Sequence, residues 1–305
     1  MPVRVLMIAG TGRSGSTLLG NALGASPRVF SAGEIRFAWE RGLAQQGTCG
    51  CRRLVRECPV WQSVFEEAFG SLPTPDEAAA FHARLTQATR LRTLPRYLRG
   101  QVTDEQRELA ATITKVHNAI AKVTGAEVVV DSSKQPTFGA LLATSDSLDR
   151  RVIHLVRDPR ATAFSWQRPQ ASYQAEGFAE SVANLSTLQS TLLWTVTNAA
   201  VPLLFNTPER PVLRIRYEDL VTSPESTLKI AFAHADLVDA EIPFETDGTL
   251  TIPPSHNIAG NPNRLRHGTT RFSEDIEWKA AMKPLSRAGA SLISWPVRRK
   301  FGYRW

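Results

Sequence analysis

Two stretches of this chain carry residue types that bind anions. In Gly10-Thr11-Gly12-Arg13-Ser14-Gly15-Ser16-Thr17, a glycine-rich turn separates an apolar run, Val3–Ala9, from Leu18-Leu19-Gly20-Asn21-Ala22-Leu23. Strand, glycine turn and helix in that order aim backbone N–H groups and the positive helix end at one spot, which suits a phosphate or sulfate. In the second stretch, His154-Leu155-Val156-Arg157-Asp158-Pro159-Arg160, an arginine closes another apolar run, and Ser165 stands eight residues beyond Arg157. Two such signatures in one chain ask for a nucleotide with phosphates at two ends.

The glycine turn departs from an ATPase loop. A Walker A motif, G-x-x-x-x-G-K-[ST], needs its lysine to reach the β/γ-phosphates and its hydroxyl to ligate magnesium. Gly10 and Gly15 have that spacing, but Ser16 stands at the lysine position and the nearby cation is Arg13, inside the loop. Such a loop cradles a single phosphate. Arg13-Ser14-Gly15-Ser16-Thr17-Leu18-Leu19 resembles the 5′-phosphosulfate loop of the sulfotransferases that use 3′-phosphoadenosine-5′-phosphosulfate (PAPS), and Arg157 with Ser165 is similar to that superfamily's 3′-phosphate pair. Ala32-Gly33-Glu34, Asp131-Ser132-Ser133-Lys134, Tyr217-Glu218-Asp219-Leu220 and Gly260-Asn261-Pro262-Asn263-Arg264 resemble, in order and approximate spacing, segments of the bacterial and carbohydrate-type branch.

The resemblance implies a PAPS-dependent sulfotransferase that moves a sulfuryl group by in-line displacement to a hydroxyl of a small metabolite, sugar or glycolipid, leaving 3′-phosphoadenosine-5′-phosphate. By the same likeness Arg13, Ser14, Gly15, Ser16 and Thr17 hold the 5′ side, Arg157 and Ser165 the 3′-phosphate, and Arg264 a late loop over the 3′-phosphoadenosine end. Sulfuryl transfer, like phosphoryl transfer, needs cations where charge grows on the leaving oxygen and a base for the acceptor. Glu34, just after the second strand, is the expected base, with Arg13 and Lys134 as the expected cations. A salt bridge from Glu34 to Arg36 or Arg13 is the plainer alternative, and His117, on a helix, is the second candidate base. Ser16 and Thr17 could instead cap the helix that follows.

Competing readings remain open at this level. Asp131 after Val128-Val129-Val130 resembles a Walker B aspartate, which favours a P-loop small-molecule kinase or NTPase using ATP and magnesium. A non-catalytic nucleotide-binding protein is a third reading. Tyr217–Leu220 reads as structural, with Glu218 and Asp219 at a helix start and Leu220 in the core; His154 reads as a core histidine. Seven tryptophans are candidates to stack on adenine, and the sequence does not choose among them.

Charge and cysteine content narrow the partners. The formal net charge of +7 gathers at one end, because residues 264–304 hold ten Lys/Arg against three acids while residues 1–263 balance at 26 against 26. Either Arg298-Arg299-Lys300 complement a helix dipole on a solvated face, or Arg264, Arg266 and Arg271 meet the anionic cofactor. No nucleic-acid module or aromatic–basic interleaving is present, so nucleic acid is not the expected partner. The first apolar run is too short for a secretory core and no stretch approaches the roughly 18 apolar residues of a membrane span, so a soluble, cytoplasmic protein is expected. Cys49, Cys51 and Cys58 cluster within ten residues. Three thiols lack a fourth ligand, and His82 is the nearest histidine in sequence, so reduced thiols in a loop are expected ahead of a Cys51–Cys58 disulfide or a metal site; no metal ligand is assigned.

These side chains need a scaffold, and the pattern supplies one. Short apolar runs at Val3–Ala9, Arg28–Ser31, Glu127–Asp131, Arg151–Val156 and Pro211–Arg216 alternate with helical stretches, which predicts a three-layer α/β fold of the P-loop type around a parallel sheet. One domain over residues 1–305 is expected, with residues 36–124 as a helical insertion covering the acceptor site. Within it helices are predicted at Pro59–Phe69, from Pro75 toward Tyr97, and at Thr103–Val123, where Thr103 and Gln106 have capping-box spacing. Helices are also predicted at Pro159–Trp166, Phe178–Leu204 and Pro224–His234. Pro253–Arg271 has no hydrophobic period and reads as a long functional loop.

Overall fold

Parallel pairing organises the chain in the computed structural model, which describes residues 2–168, 184–265 and 267–304. β1 (Val3–Gly10) leads to α1 (Ser16–Leu23) and β2 (Val29–Gly33), and a helical stretch then supplies α2 (Pro59–Phe69), α3 (Pro75–Thr89), α4 (Leu94–Leu98) and α5 (Asp104–Thr124). The sheet resumes with β3 (Val128–Lys134), α6 (Pro136–Leu142), β4 (Leu148–Val156), α7 (Pro159–Gln167), α8 (Thr187–Phe205), β5 (Leu213–Arg216), α9 (Tyr217–Thr222) and α10 (Pro224–His234). A small hairpin, β6 (Leu250–Ile252) with β7 (Gly268–Thr270), and helices α11 (Trp278–Ala281) and α12 (Pro284–Arg298) follow. The five-stranded sheet has the order β2-β3-β1-β4-β5, and every pairing in it is parallel.

Both faces of this sheet are buried, for a reason visible in β1. Val5, Met7 and Ala9 enter one apolar cluster with Val129 and the helices of the 36–124 stretch, while Leu6 and Ile8 enter another with Val128, Val130 and α10. Alternate side chains of a strand point to opposite faces, so a strand covered by helices on both sides must be apolar throughout. The larger of these side chains, Val, Leu, Ile and Met, each contribute about 1.5–3 kcal/mol when fully buried. The chain leaves β1 toward β2 on one side, while β4 and β5 extend the sheet on the other; ligands of open α/β sheets bind at the strands' C-terminal ends beside such a switch.

The helical stretch matches its expectation with one change. Thr103 and Gln106 form the expected capping box of α5, Gly125 closes that helix in the left-handed conformation, and Thr74 with Glu77 caps α3 in the same way. The helix from Pro75 does not continue toward Tyr97, because Arg90 is extended and a new helix, α4, starts around Pro95. Proline fits only the first turn, where its missing N–H is not needed. α8 starts at Thr187 behind a Ser186/Gln189 capping box; the first part of the predicted Phe178–Leu204 helix, through residue 183, lies outside the described residues. β7 falls inside the Pro253–Arg271 stretch read as loop and pairs with β6 just before it, both three-residue strands being too short to leave a periodic signal. No helix among the described residues is long and apolar enough to cross a membrane.

Candidate active site

A cleft of about 890 Å³ opens at the C-terminal ends of β1–β4 and is lined by the glycine turn, Glu34, Lys134 and Arg157. The glycine turn shapes its floor. Gly15 is the N-cap of α1 with φ 91°, and a Cβ there would lie 2.6 Å from the Tyr217 ring, so a larger residue is excluded by both strain and space. No side chain caps α1, which corrects the capping alternative for Ser16 and Thr17. The first α-helical bond runs from Leu19 N–H to Gly15 O, leaving the N–H groups of Ser16, Thr17 and Leu18 without an α-helical partner at the cleft wall. Ser14 is placed differently from expectation: its hydroxyl pairs with that of Thr11 at 3.1 Å in the buried interior of the turn.

Arg13 and Arg157 bring the two sequence signatures together. Arg13 adopts φ 68°, a conformation that non-glycine residues rarely take, and its guanidinium sits 5.7 Å from the Trp166 ring and donates to Ser165 O. Burial lowers its pKa, and the neighbouring charges of Arg157 and Arg168 lower it further. Arg157 donates to Arg13 O at 3.1 Å, stacks 4.3 Å from the centre of the Tyr217 ring, and pairs with Asp275 at 3.0 Å. Arg168 shares that carboxylate at 2.8 and 2.9 Å. Burial pushes the Asp275 carboxyl up, but the hydrogen bonds from Arg168 and Arg157 outweigh it and hold the group below its ordinary value. Ser165 and Trp166 also line the cleft, and among the described tryptophans Trp166 alone does so.

At the ends of β2 and β3 the expected base and cation touch. Glu34 Oε1 lies 2.6 Å from Lys134 Nζ, and neither Arg36 nor Arg13 takes the carboxylate as the plainer alternative had it. Lys134 has φ 65°, and its ammonium also donates to Ser132 O at 2.9 Å. Asp131 is fully buried, accepting from Ser133 N–H and its hydroxyl and facing His117 Nε2 at 3.1 Å. His117 Nδ1 donates to Ile113 O, so the two side chains hold one proton between Nε2 and the carboxylate. Both residues are sealed from solvent, which removes His117 as a base in the cleft and Asp131 as a magnesium ligand there.

Arg264 departs from its expected place. It is buried and donates to the carbonyls of Gly260 and Thr48, while the neighbouring Gly260, Asn261, Pro262 and Asn263 line the cleft. Arg271 is exposed beside Asp247 at 3.5 Å, and Arg266 lies outside the described residues. Arg298 is buried on the carbonyls of Ser291 and Tyr303, so the basic C-terminal stretch is not wholly a solvated face. The three cysteines are free thiols, and the histidine that joins them is His256, not His82.

The cleft also holds cations to which the sequence assigned no binding role. Arg36, Arg41 and Arg168 line it, so among the described residues six cations face two carboxylates, Glu34 and Asp275. Tyr217, read as structural, is a wall of the site as well as the start of α9. The buried Nε atoms of Arg13, Arg36, Arg157 and Arg168 have no hydrogen-bond partner among the described residues, and with the open N–H groups of α1 they suit a ligand carrying several anionic groups.

A family profile described as the sulfotransferase family matches residues 6–241. Among solved structures, the sulfotransferase domain of the Synechococcus PCC 7002 olefin synthase is similar at 20% identity and a TM-score of 0.56, over 100% of this chain and 96% of that one. The sulfotransferase domain of the curacin biosynthetic pathway is similar at 20% identity and a TM-score of 0.53, over 100% and 99%. These likenesses carry the fold. No curated protein matches the chain.

Proposed function

The chain belongs to the sulfotransferase family, and on that premise we propose that it transfers a sulfuryl group from PAPS to a hydroxyl of a small metabolite, sugar or glycolipid. The observation that carries this reading is the convergence of two arginine-bearing anion sites and a carboxylate–lysine pair on one cleft. When bound, PAPS supplies an activated sulfuryl group. The Ser16, Thr17 and Leu18 N–H groups and Arg13 bind and neutralise its 5′ side, while Arg157, with Ser165 on the next helix, selects the 3′-phosphate. Ser14 braces the turn through Thr11, and Arg264 supports the late loop from behind.

Glu34 takes the proton of the acceptor hydroxyl, and Lys134 is the cation beside it. The acceptor enters beneath the 36–124 stretch, whose Arg36, Phe37, Arg41 and Leu91 form part of the cleft wall. Phe37 and Leu91, with Pro136 and Leu193, give that wall an apolar component suited to a small organic acceptor.

A thermal-shift series tests the donor. 3′-Phosphoadenosine-5′-phosphate should raise the melting midpoint without magnesium, and labelled PAPS should pass its label to a member of a hydroxyl-acceptor panel. Stabilisation by ATP with magnesium alone would replace this reading with the kinase one.

A further inference from the structure

The stretch Cys49-Gly50-Cys51 and Cys58 meets His256 across some two hundred residues of sequence. Cys49 Sγ lies 3.7 Å from Cys58 Sγ and 3.8 Å from His256 Nδ1, Cys58 Sγ lies 3.2 Å from the same nitrogen, and all four ligand atoms, with Cys51, fall within 4.8 Å of one another. A tetrahedral zinc with sulfur at about 2.3 Å and nitrogen at about 2.0–2.1 Å spaces its ligands about 3.6–3.8 Å apart, which these separations approach. We propose that Cys49, Cys51, Cys58 and His256 hold a structural zinc ion that fastens the start of the helical insertion to the late loop.

Backbone N–H groups face two of the sulfurs. Cys51 N–H points at the Cys49 sulfur and Trp61 N–H at the Cys58 sulfur, and Cys58 is the N-cap of α2, where the helix dipole favours negative charge. Trp61 Nε1 donates to His256 O at 2.7 Å, fixing the backbone that carries the imidazole. Gly50 permits the approach, since a Cβ there would sit 2.7 Å from Ser255 O. Cys49 and Cys58 are fully buried, whereas Cys51 is partly exposed in a turn and can close the last distance. A Cys₃His set fills all four tetrahedral positions, which marks a structural site rather than a catalytic one, and soft thiolates with tetrahedral spacing select zinc.

The consequence reaches the cleft. Two residues beyond His256, Ile258 N–H donates to Ala32 O and Glu34 N–H donates to Ile258 O at 2.8 Å, while Cys49 bridges Ile258 from the other side. The zinc therefore anchors the strand segment that seats Glu34.

Metal content decides the matter. Full-length, tag-free protein from a zinc-supplemented culture should carry about one zinc per chain by inductively coupled plasma mass spectrometry. Cobalt(II) replacing it should give thiolate-to-metal charge-transfer absorption and tetrahedral d–d bands. Cys58→Ser and His256→Ala should lose most of the metal, and Cys51→Ser should weaken the charge-transfer band while circular dichroism stays native. Wild-type protein that holds no zinc and develops no thiolate–cobalt band would overturn the proposal, whether or not the variants fold. Zinc that persists undiminished in all three variants would overturn it too, by placing the metal elsewhere.

Discussion

Lys134 Nζ and Glu34 Oε1 lie 2.6 Å apart, joining the ends of β3 and β2. The contact depends on irregular backbone. The register shifts between Ser31 and Gly33 on one side of β3 and between Met7 and Ala9 on the other, and Lys134 closes the strand with φ 65°. Asp131 fastens this bend by accepting from both the N–H and the hydroxyl of Ser133, and Ser133 Oγ in turn accepts Arg36 N–H at 3.0 Å. A buried hydrogen-bonded hook thus sets the two residues against the cleft.

A base acts mainly in the transition state, so its loss should show in turnover. Glu34→Gln keeps the shape but not the basicity, and should lower kcat roughly 10²-fold or more while leaving 3′-phosphoadenosine-5′-phosphate affinity nearly unchanged. Lys134→Met should also lower kcat, and the double variant should fall short of the product of the two losses because the residues act as a pair. Near-normal turnover in Glu34→Gln, measured under saturating donor, would remove Glu34 as the base.

Asp275 occupies the guanidinium donors proposed for the 3′-phosphate. A ligand phosphate must displace a carboxylate that is mostly covered and paired with both Arg157 and Arg168. Asp275→Asn should therefore tighten 3′-phosphoadenosine-5′-phosphate binding several-fold, because the carboxylate charge that competes for the two guanidinium groups is gone. Arg157→Ala should weaken it about tenfold or more, the worth of one charge-assisted bond, and should barely alter adenosine-5′-phosphosulfate, which lacks that phosphate. Isothermal titration of the two nucleotides checks both; equal losses for the two would take Arg157 off the 3′ end.

Much of this arrangement was legible in the sequence because it rests on local rules. The glycine turn, the apolar runs and the Thr103/Gln106 box each encode their structure within a few residues, and the parallel sheet followed from uninterrupted apolar strands. Long-range meetings were not legible. His256 reaches the cysteines and Arg168 reaches Asp275 through folding alone, and no spacing rule links such positions. Arg264 was misplaced for a related reason: its loop does line the cleft, but sequence does not say which way a side chain turns, and this one turns inward to carbonyls.

Gly15 should be the least tolerant position in the turn. Gly15→Ala forces a Cβ to 2.6 Å from the Tyr217 ring at a φ that alanine avoids, and the ring it would push is the one stacked on Arg157. Strain of this kind costs on the order of 1–3 kcal/mol, so the melting midpoint should drop by several degrees. Nucleotide binding should fall much further, since both anion sites move. An unchanged dissociation constant for 3′-phosphoadenosine-5′-phosphate in a folded Gly15→Ala variant would contradict this account of the turn.

His154 should make stability fall in mild acid. Burial lowers its pKa to about 4, against a bond to Asn198 that opposes the shift, and the nearby Arg214 charge adds to the lowering. The neutral ring donates from Nε2 to Asn198 Oδ1 at 2.9 Å, and Asn198 in turn donates to Trp194 O, which fixes the amide with its oxygen toward the ring. Unfolding returns the imidazole to its ordinary value of 6.5, so between about 4 and 6.5 the unfolded chain binds the extra proton. The contribution is therefore fully present above pH 6.5 and is lost as pH falls toward 4, amounting to about 3 kcal/mol at the limit. His234, whose pKa burial also lowers, adds to the same slope. His154→Gln places a neutral amide donor near the Nε2 position, and urea unfolding between pH 4.5 and 7.5 should show a shallower decline for this variant than for the wild type. Parallel curves for the two proteins would show that His154 does not titrate on unfolding, and the burial argument for it would fail.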